Sequence, residues 1–322
     1  MSLRGLADAA GCEIGVCATA EYLTDEWYAD LLAKEFNRVA LENDLIWENV
    51  HPQRDSFEFG PADTLIDFAT RHDMSVTGHA LVWHIELPDW VVDTDWSPNE
   101  LADELRSHIE TVTARYAGQV DAWDVVNEAV NDAGEYRDTV WFDQLGEEYI
   151  ADAFRWAAAH TSADLLYNDY GLPVNDAKRE QVYELLSDLL DQGVPIDGIG
   201  LQLHCVGMHP TPEQITQTIH QFQELDIDVR VTEWDVAYRR ENRPDDLDAV
   251  QAQYYREMLQ AILDAGVETI TFWGLTDAHS WITSWREYPD HYTQRPLLFD
   301  ATGEKKASYE AVASVLRDYT HK

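Results

Sequence analysis

Lysine is nearly missing from this sequence. Five occur in 322 residues (Lys34, Lys178, Lys305, Lys306 and Lys322), and Lys and Arg together number 22 against 61 Asp and Glu, a net charge of −39. So strong a deficit of positive charge excludes sequence-independent nucleic-acid binding, which needs a cationic surface. It also opposes attachment to anionic membranes. Cysteine is scarce as well. Cys12, Cys17 and Cys205 cannot all pair, none has metal-ligand spacing, and Cys17 and Cys205 fall in apolar runs that suit small core residues. No metal or other cofactor is expected. No apolar run is long enough to span a membrane. The first residues, Met1-Ser2-Leu3-Arg4-Gly5, have no apolar stretch of signal-peptide length. On the sequence as it stands this implies a cytoplasmic protein, or a secreted one if a leader has been removed. The negative charge is spread along the whole chain rather than gathered in a tail. At molar salt the Debye length falls to about 3 Å and such self-repulsion is screened, so the charge points to a high-salt medium.

What is present suits a large core: 45% of the residues are hydrophobic, too many for a disordered chain. No linker, low-complexity segment or repeat divides the sequence, so a single monomeric domain over residues 1–322 is expected, with its body at about 13–318. Eight strand candidates alternate with helical patterns: Glu13–Thr19, Phe36–Glu42, Met74–Trp83, Val120–Glu128, Ala163–Asp169, Gly198–His204, Asp228–Asp235 and Thr269–Leu275. Most read as near-continuous apolar runs, as strands buried on both faces do. The helices between them announce their starts. Ser97-Pro98-Asn99-Glu100 and Thr211-Pro212-Glu213-Gln214 are capping boxes with Pro at the first helical position, and Gly60-Pro61 opens another helix. Eightfold alternation of strand and helix predicts an α/β fold, a closed (β/α)₈ TIM barrel.

Polar residues gather at the predicted C-terminal strand ends, where barrel enzymes place their chemistry. They include Glu42 and Asn43, His79 and Trp83, Asn127 and Glu128, Asn168 to Tyr170, Gln202 and His204, Glu233 and Asp235, and Trp273. Two carboxylates at such a rim suggest glycoside hydrolysis, which needs a proton donor to the leaving oxygen and a second carboxylate at the anomeric carbon. His204, held by Asp235, would hydrogen-bond Glu233 and keep it charged, as suits a nucleophile. Glu128, among Trp123, Val125, Val126 and Asn127, has drier company that favours its protonated form, as suits the acid. Trp83, Trp273, Trp281 and Trp285 stand near the rim, where flat aromatic faces can take sugar rings. The stretch from Asp277 to Pro296 reads as a wall of the site. His79 and His84 lack a third metal ligand.

These strings together resemble the glycoside hydrolase family 10 xylanases. The resemblance runs from about Glu13 to Val315, through Gly78-His79-Ala80-Leu81-Val82-Trp83-His84, Trp123-Asp124-Val125-Val126-Asn127-Glu128, Asn168-Asp169-Tyr170, Gly198-Ile199-Gly200-Leu201-Gln202-Leu203-His204, Thr232-Glu233-Trp234-Asp235 and Trp273-Gly274-Leu275-Thr276-Asp277. It implies a retaining endo-β-1,4-xylanase acting on xylan or xylo-oligosaccharides, with Glu128 as acid/base and Glu233 as nucleophile. Asn127 would bond the 2-hydroxyl of the sugar at the cleavage point. His79, Trp83, Gln202, Trp273 and Trp281 would shape that subsite. His204 and Asp235 would support the nucleophile, Glu42 and Asn43 would touch the next sugar on the non-reducing side, and Tyr170 the leaving side. The chain departs from the pattern at three positions: Ile46 where Lys is usual, Glu86 where Gln is usual, and Gly171 where Asn is frequent. Two other readings compete: a retaining β-glycosidase of the same barrel type acting on short xylo-oligomers or aryl xylosides, and a non-catalytic sugar-binding barrel.

Overall fold

Eight parallel strands close on themselves in the computed structural model, which describes residues 1–284 and 295–320. They are β1 (Glu13–Ala18), β2 (Arg38–Leu41), β3 (Ser75–Val82), β4 (Ala122–Asn127), β5 (Asp164–Tyr170), β6 (Gly198–Gln202), β7 (Asp228–Ala237) and β8 (Thr269–Phe272). Each pairs with the next in sequence, and β8 closes the ring on β1 through the registers Ile14↔Ile270 and Gly15↔Thr271. The expected (β/α)₈ TIM barrel is therefore present. The strands are buried over nearly their whole length, which explains their continuous apolar character.

The helical starts read from sequence form as expected. Ser97 and Thr211 each close a capping box, on the helices Pro98–Arg115 and Pro212–Gln223. The helix Gly60–Arg71 begins at Gly60-Pro61. A helix over Leu3–Ala10, not foreseen from sequence, precedes β1. It is tied to the body by the Leu3 N–H, which donates to Glu35 at 3.0 Å, and Tyr309 donates to the same carboxylate at 2.7 Å.

Strand ends differ from the sequence expectation by a few residues, and two differences matter. The sixth strand was expected to run to His204. Instead β6 stops at Gln202, and His204–Val206 pairs separately with β7, setting His204 opposite Asp235. The ladders also slip between His79 and Val82, between Asp124 and Val126, and between Val231 and Trp234. Such bulges turn side chains away from simple alternation, and the last of them contains Glu233.

The N-terminal end of the barrel is closed by ions. Glu13 accepts from Arg38 at 2.5 and 2.9 Å and from Ser75 at 2.6 Å, and Arg38 also donates to Thr77 at 2.7 Å. Arg230 pairs with Asp228 at 2.7 Å and with Asp164.

Candidate active site

Glu233 sits inside the β7 bulge, nearly fully buried. A buried carboxylate must be hydrogen-bonded or protonated. Here Oε1 accepts from Asn168 Nδ2 at 2.7 Å, and His204 Nε2 lies 3.1 Å from Oε2. The other nitrogen of His204 is 3.0 Å from Asp235 Oδ2, which also accepts from the Trp281 indole at 2.7 Å. Burial alone would lower the His204 pKa, but the carboxylates of Asp235 and Glu233 outweigh it and hold it up at about 10. His204 is therefore an imidazolium that donates from both nitrogens. Burial would likewise raise Glu233, yet the His204 bond, the His79 charge and the Asn168 amide together bring it below the usual Glu value. Glu233 is held ionised, as the sequence suggested.

Glu128 follows β4 with φ +58°, a left-handed backbone that non-glycine residues seldom adopt. Its N–H donates to the Asn168 carbonyl at 2.9 Å, and Arg137 Nε donates to its own carbonyl at 2.9 Å. Its carboxylate receives long contacts from Gln202 at 3.3 Å and Asn127 at 3.4 Å, besides the Trp83 indole. Burial and the negative charges of Asp169 and Glu233 raise it to about 7, against a lowering bond from Trp83. Burial is the largest cause, as the sequence suggested. Glu233 is the more buried of the two residues, so dryness alone does not separate them. What separates them is company: charged and close donors for Glu233, anions and distant amides for Glu128.

A chain of amides joins the two carboxylates. Asn127 Oδ1 accepts from Asn168 Nδ2 at 2.8 Å and from Gln202 Nε2 at 2.9 Å. Thr232 Oγ1 fixes Asn168 from the far side at 2.7 Å. The remaining candidates line the same rim. His79 is buried, 2.8 Å from Asp124 and edge-on to Trp273 at 5.1 Å between centroids. Burial would lower its pKa, but the carboxylates of Asp124, Glu233 and Glu128 bring it up to about 8. Trp273 is buried with Cys17 and Ala40, and Trp281 packs against that group. Trp83 is braced by Trp141, whose indole donates to its carbonyl at 2.8 Å. Glu42 is pushed up to about 7, chiefly by burial. Asn43 holds the following turn, its carbonyl accepting from Ile46 N–H and Asn49 Nδ2. Tyr170 accepts from Arg137 at 3.1 Å. Every expected site residue thus reaches the C-terminal rim, apart from Trp285, which lies outside the described residues.

The three departures have distinct settings. Ile46 is buried at the start of the short helix Trp47–Val50. Glu86 is exposed with φ +54°, its carbonyl accepting from Glu48 N–H. Gly171 has φ +74°, a conformation that Gly and Asn adopt at little cost, which accounts for the exchange.

Sequence reasoning missed several members. Cys17, read as a small core residue, is buried but also donates to Glu42. Asp124 orients His79. Arg137 links the loop after β4 to Tyr170, and Lys178, wholly buried, pairs with Asp169 at 2.7 Å. A lone lysine in an apolar helical stripe was the available signal for the last of these. One ionised and one protonated carboxylate, joined by fixed amides and flanked by aromatic faces, suit displacement at a sugar's anomeric carbon.

The sequence model described as "Glycosyl hydrolase family 10" matches residues 2–315. The chain is 36% identical to endo-1,4-beta-xylanase B of Thermotoga neapolitana, over 98% of this chain and 92% of that protein. It is 41% identical to a beta-1,4-xylanase of Dictyoglomus thermophilum, over 92% and 86%. Among solved structures, native xylanase 10B from Thermotoga maritima superposes with a TM-score of 0.94 at 37% identity, covering 100% of this chain and 99% of that one. Xylanase 10B from Thermotoga petrophila RKU-1, in complex with xylobiose, gives 0.95 at 36% identity, covering 99% and 98%.

Proposed function

Since the chain belongs to glycosyl hydrolase family 10, we propose that it is an endo-1,4-β-xylanase that cleaves internal bonds of xylan with retention of configuration. The observation that carries the mechanism is the opposite proton affinity of two joined carboxylates, Glu233 held ionised and Glu128 raised to about 7. Glu233 attacks the anomeric carbon while Glu128 gives its proton to the departing oxygen. The glycosyl–Glu233 ester then meets a water, from which Glu128 takes a proton, and the enzyme returns to its first state. His204, charged and fixed by Asp235, orients Glu233 and steadies its negative charge before attack and on release.

Asn127 faces the 2-hydroxyl at the cleavage point, where a bond that tightens in the transition state lowers the barrier. His79, Trp83, Gln202, Trp273 and Trp281 enclose that same sugar. Glu42 and Asn43 receive the next one on the non-reducing side, and Tyr170 the leaving side. The test is a time course of oligomers released from xylan, with the anomer formed first read by proton NMR. Mixed oligomers early and a β-anomer first are expected. A single small sugar from the outset would favour the short-oligomer reading, and an α-anomer first would rule out retention.

A further inference from the structure

Lys178 is a cation with no exposed surface, on the helix Asp176–Asp191 behind the leaving side of the site. A buried ammonium is costly unless closely paired. Its Nζ lies 2.7 Å from Asp169 Oδ1 and 3.2 Å from the centroid of the Tyr170 ring, so one charge grips both a carboxylate and an aromatic face. Asp169 is held in turn by the Tyr167 hydroxyl at 2.7 Å and the Tyr170 N–H at 2.9 Å. The hydroxyl of Tyr170 accepts from Arg137, whose guanidinium also donates to the carbonyls of Glu128 and Val130.

We propose that Lys178 and Asp169 are positioning residues for the acid/base: the pair holds the Tyr170 ring in place and sets the pH at which Glu128 loses its proton. The inference rests on the reading of Glu128 as acid/base.

Several charged or polar groups face Glu128. Glu233 does so from β7, His79 and the Trp83 indole from β3, Asn127 from β4, and Gln202 from β6. Asp169 and Lys178 act on it by their charges. His84, pushed down to about 4 chiefly by burial and further by Arg137 and Lys178, stays neutral at working pH. Around the pair itself lie Tyr149, Tyr167, Tyr170 and, 3.9 Å from Lys178, Asp132. Asp169 raises Glu128 and Lys178 lowers it. The anion's influence is the larger of the two, which gives the proposal a sign: removing Asp169, or removing the cation that keeps it ionised, must lower the Glu128 pKa.

The test is the pH profile of kcat/KM on xylopentaose for the wild type, Asp169→Asn, Lys178→Met and the double variant. The Glu128 carboxyl is titrated by carbon NMR in the same proteins, and thermal unfolding is followed in the same buffers. In Asp169→Asn the basic limb moves to lower pH, by roughly one unit, the lower end of the effect of a neighbouring charge. In Lys178→Met it also moves to lower pH, by less, because burial already pushes the Asp169 carboxyl up and, without the Lys178 charge that chiefly opposes this, Asp169 takes a proton. The double variant, with a neutral pair in place of ions and the least threat to folding, coincides with Lys178→Met. Limbs fixed at the wild-type position, with only the height of the profile reduced, would make the pair a purely structural prop and overturn the proposal. A shift of either single variant to higher pH would overturn it too. A basic limb that survives in Glu128→Gln would strike at Glu128 as acid/base, and the proposal would fall with it.

Discussion

At the N-terminal end of the barrel, Glu13 is clamped by Arg38 and Ser75; at the C-terminal end, Glu233 is clamped by His204 and Asn168. Both ends hold partly or wholly buried carboxylates. Below, the partners are guanidinium groups, which never give up a proton. Burial pushes Glu13 up, but Arg38 and Ser75 prevail and it stays below the ordinary Glu value. Above, the partners are imidazoles and amides, and Glu128 and Glu42 are left at about 7, within reach of ordinary pH. One end fixes its charges permanently and serves closure. The other leaves protons movable, and chemistry is possible only there.

The sharpest way to separate the two ends is to delete a carboxylate above. Glu233→Ala should reduce turnover by at least about 10⁴-fold, the scale seen when a nucleophile is removed, while xylotriose still binds by calorimetry. Glu128→Ala should spare the first step for aryl xylobiosides with good leaving groups, because these need little protonation. Equal loss of both steps in both variants, without rescue by azide, would contradict the assigned roles. Deleting a cation below should do the reverse. Arg38→Met leaves Glu13 with Ser75 as its remaining close donor and should lower stability in urea unfolding by about 1–2 kcal/mol, while kcat of the folded fraction stays near wild type. A large fall in kcat without loss of stability would erase the contrast.

The pH dependence should show the contrast next. Only protonated Glu128 can donate, so kcat/KM should fall about tenfold per pH unit above about 7. The stabilising side has the opposite anchor. His204 is raised from 6.5 to about 10. Its contribution is therefore complete below pH 6.5 and lost as pH rises through about 10, which a melting curve in alkaline buffers will reveal. A smaller change is expected at Ile46. If the apolar side chain marks a lost sugar contact, Ile46→Lys should tighten xylotriose binding by about tenfold or more, the value of one hydrogen bond to a charged group. Unchanged or weaker affinity would show that another residue has taken that part. Smallest at both ends should be the effect of salt. Sodium chloride from low to molar concentration should raise the melting temperature by screening the −39 surface charge and leave kcat nearly constant. A flat or falling melting temperature would mean the acidic surface has another purpose.

The barrel was legible because strands buried on both faces must be apolar throughout, and because Ser97 and Thr211 advertise helix starts with side chains that satisfy orphan N–H groups. The convergence of Glu128 and Glu233 on one rim was legible because a carboxylate beside Asn, Trp and His at a strand end has little structural use. What was hidden depends on partners far away in sequence. Nothing near Lys178 in the chain tells that it will meet Asp169, and Cys17 looks like any small core residue until Glu42 is set above it. The break after Gln202 was hidden as well, since Leu203 continues the apolar run while the backbone leaves the ladder. Dryness was legible as the reason Glu128 holds its proton, but the donors that offset the same burial at Glu233 were only partly so.

The left-handed backbone at Glu128 has an evolutionary side. The fold would accept glycine there more readily than glutamate, since glycine adopts φ +58° without steric cost and would bring no carboxylate into a dry rim. Glu128→Gly should therefore melt at a higher temperature than the working protein while being inert. Selection for stability alone would erase this residue, so its presence records a tension between endurance and activity settled in favour of activity.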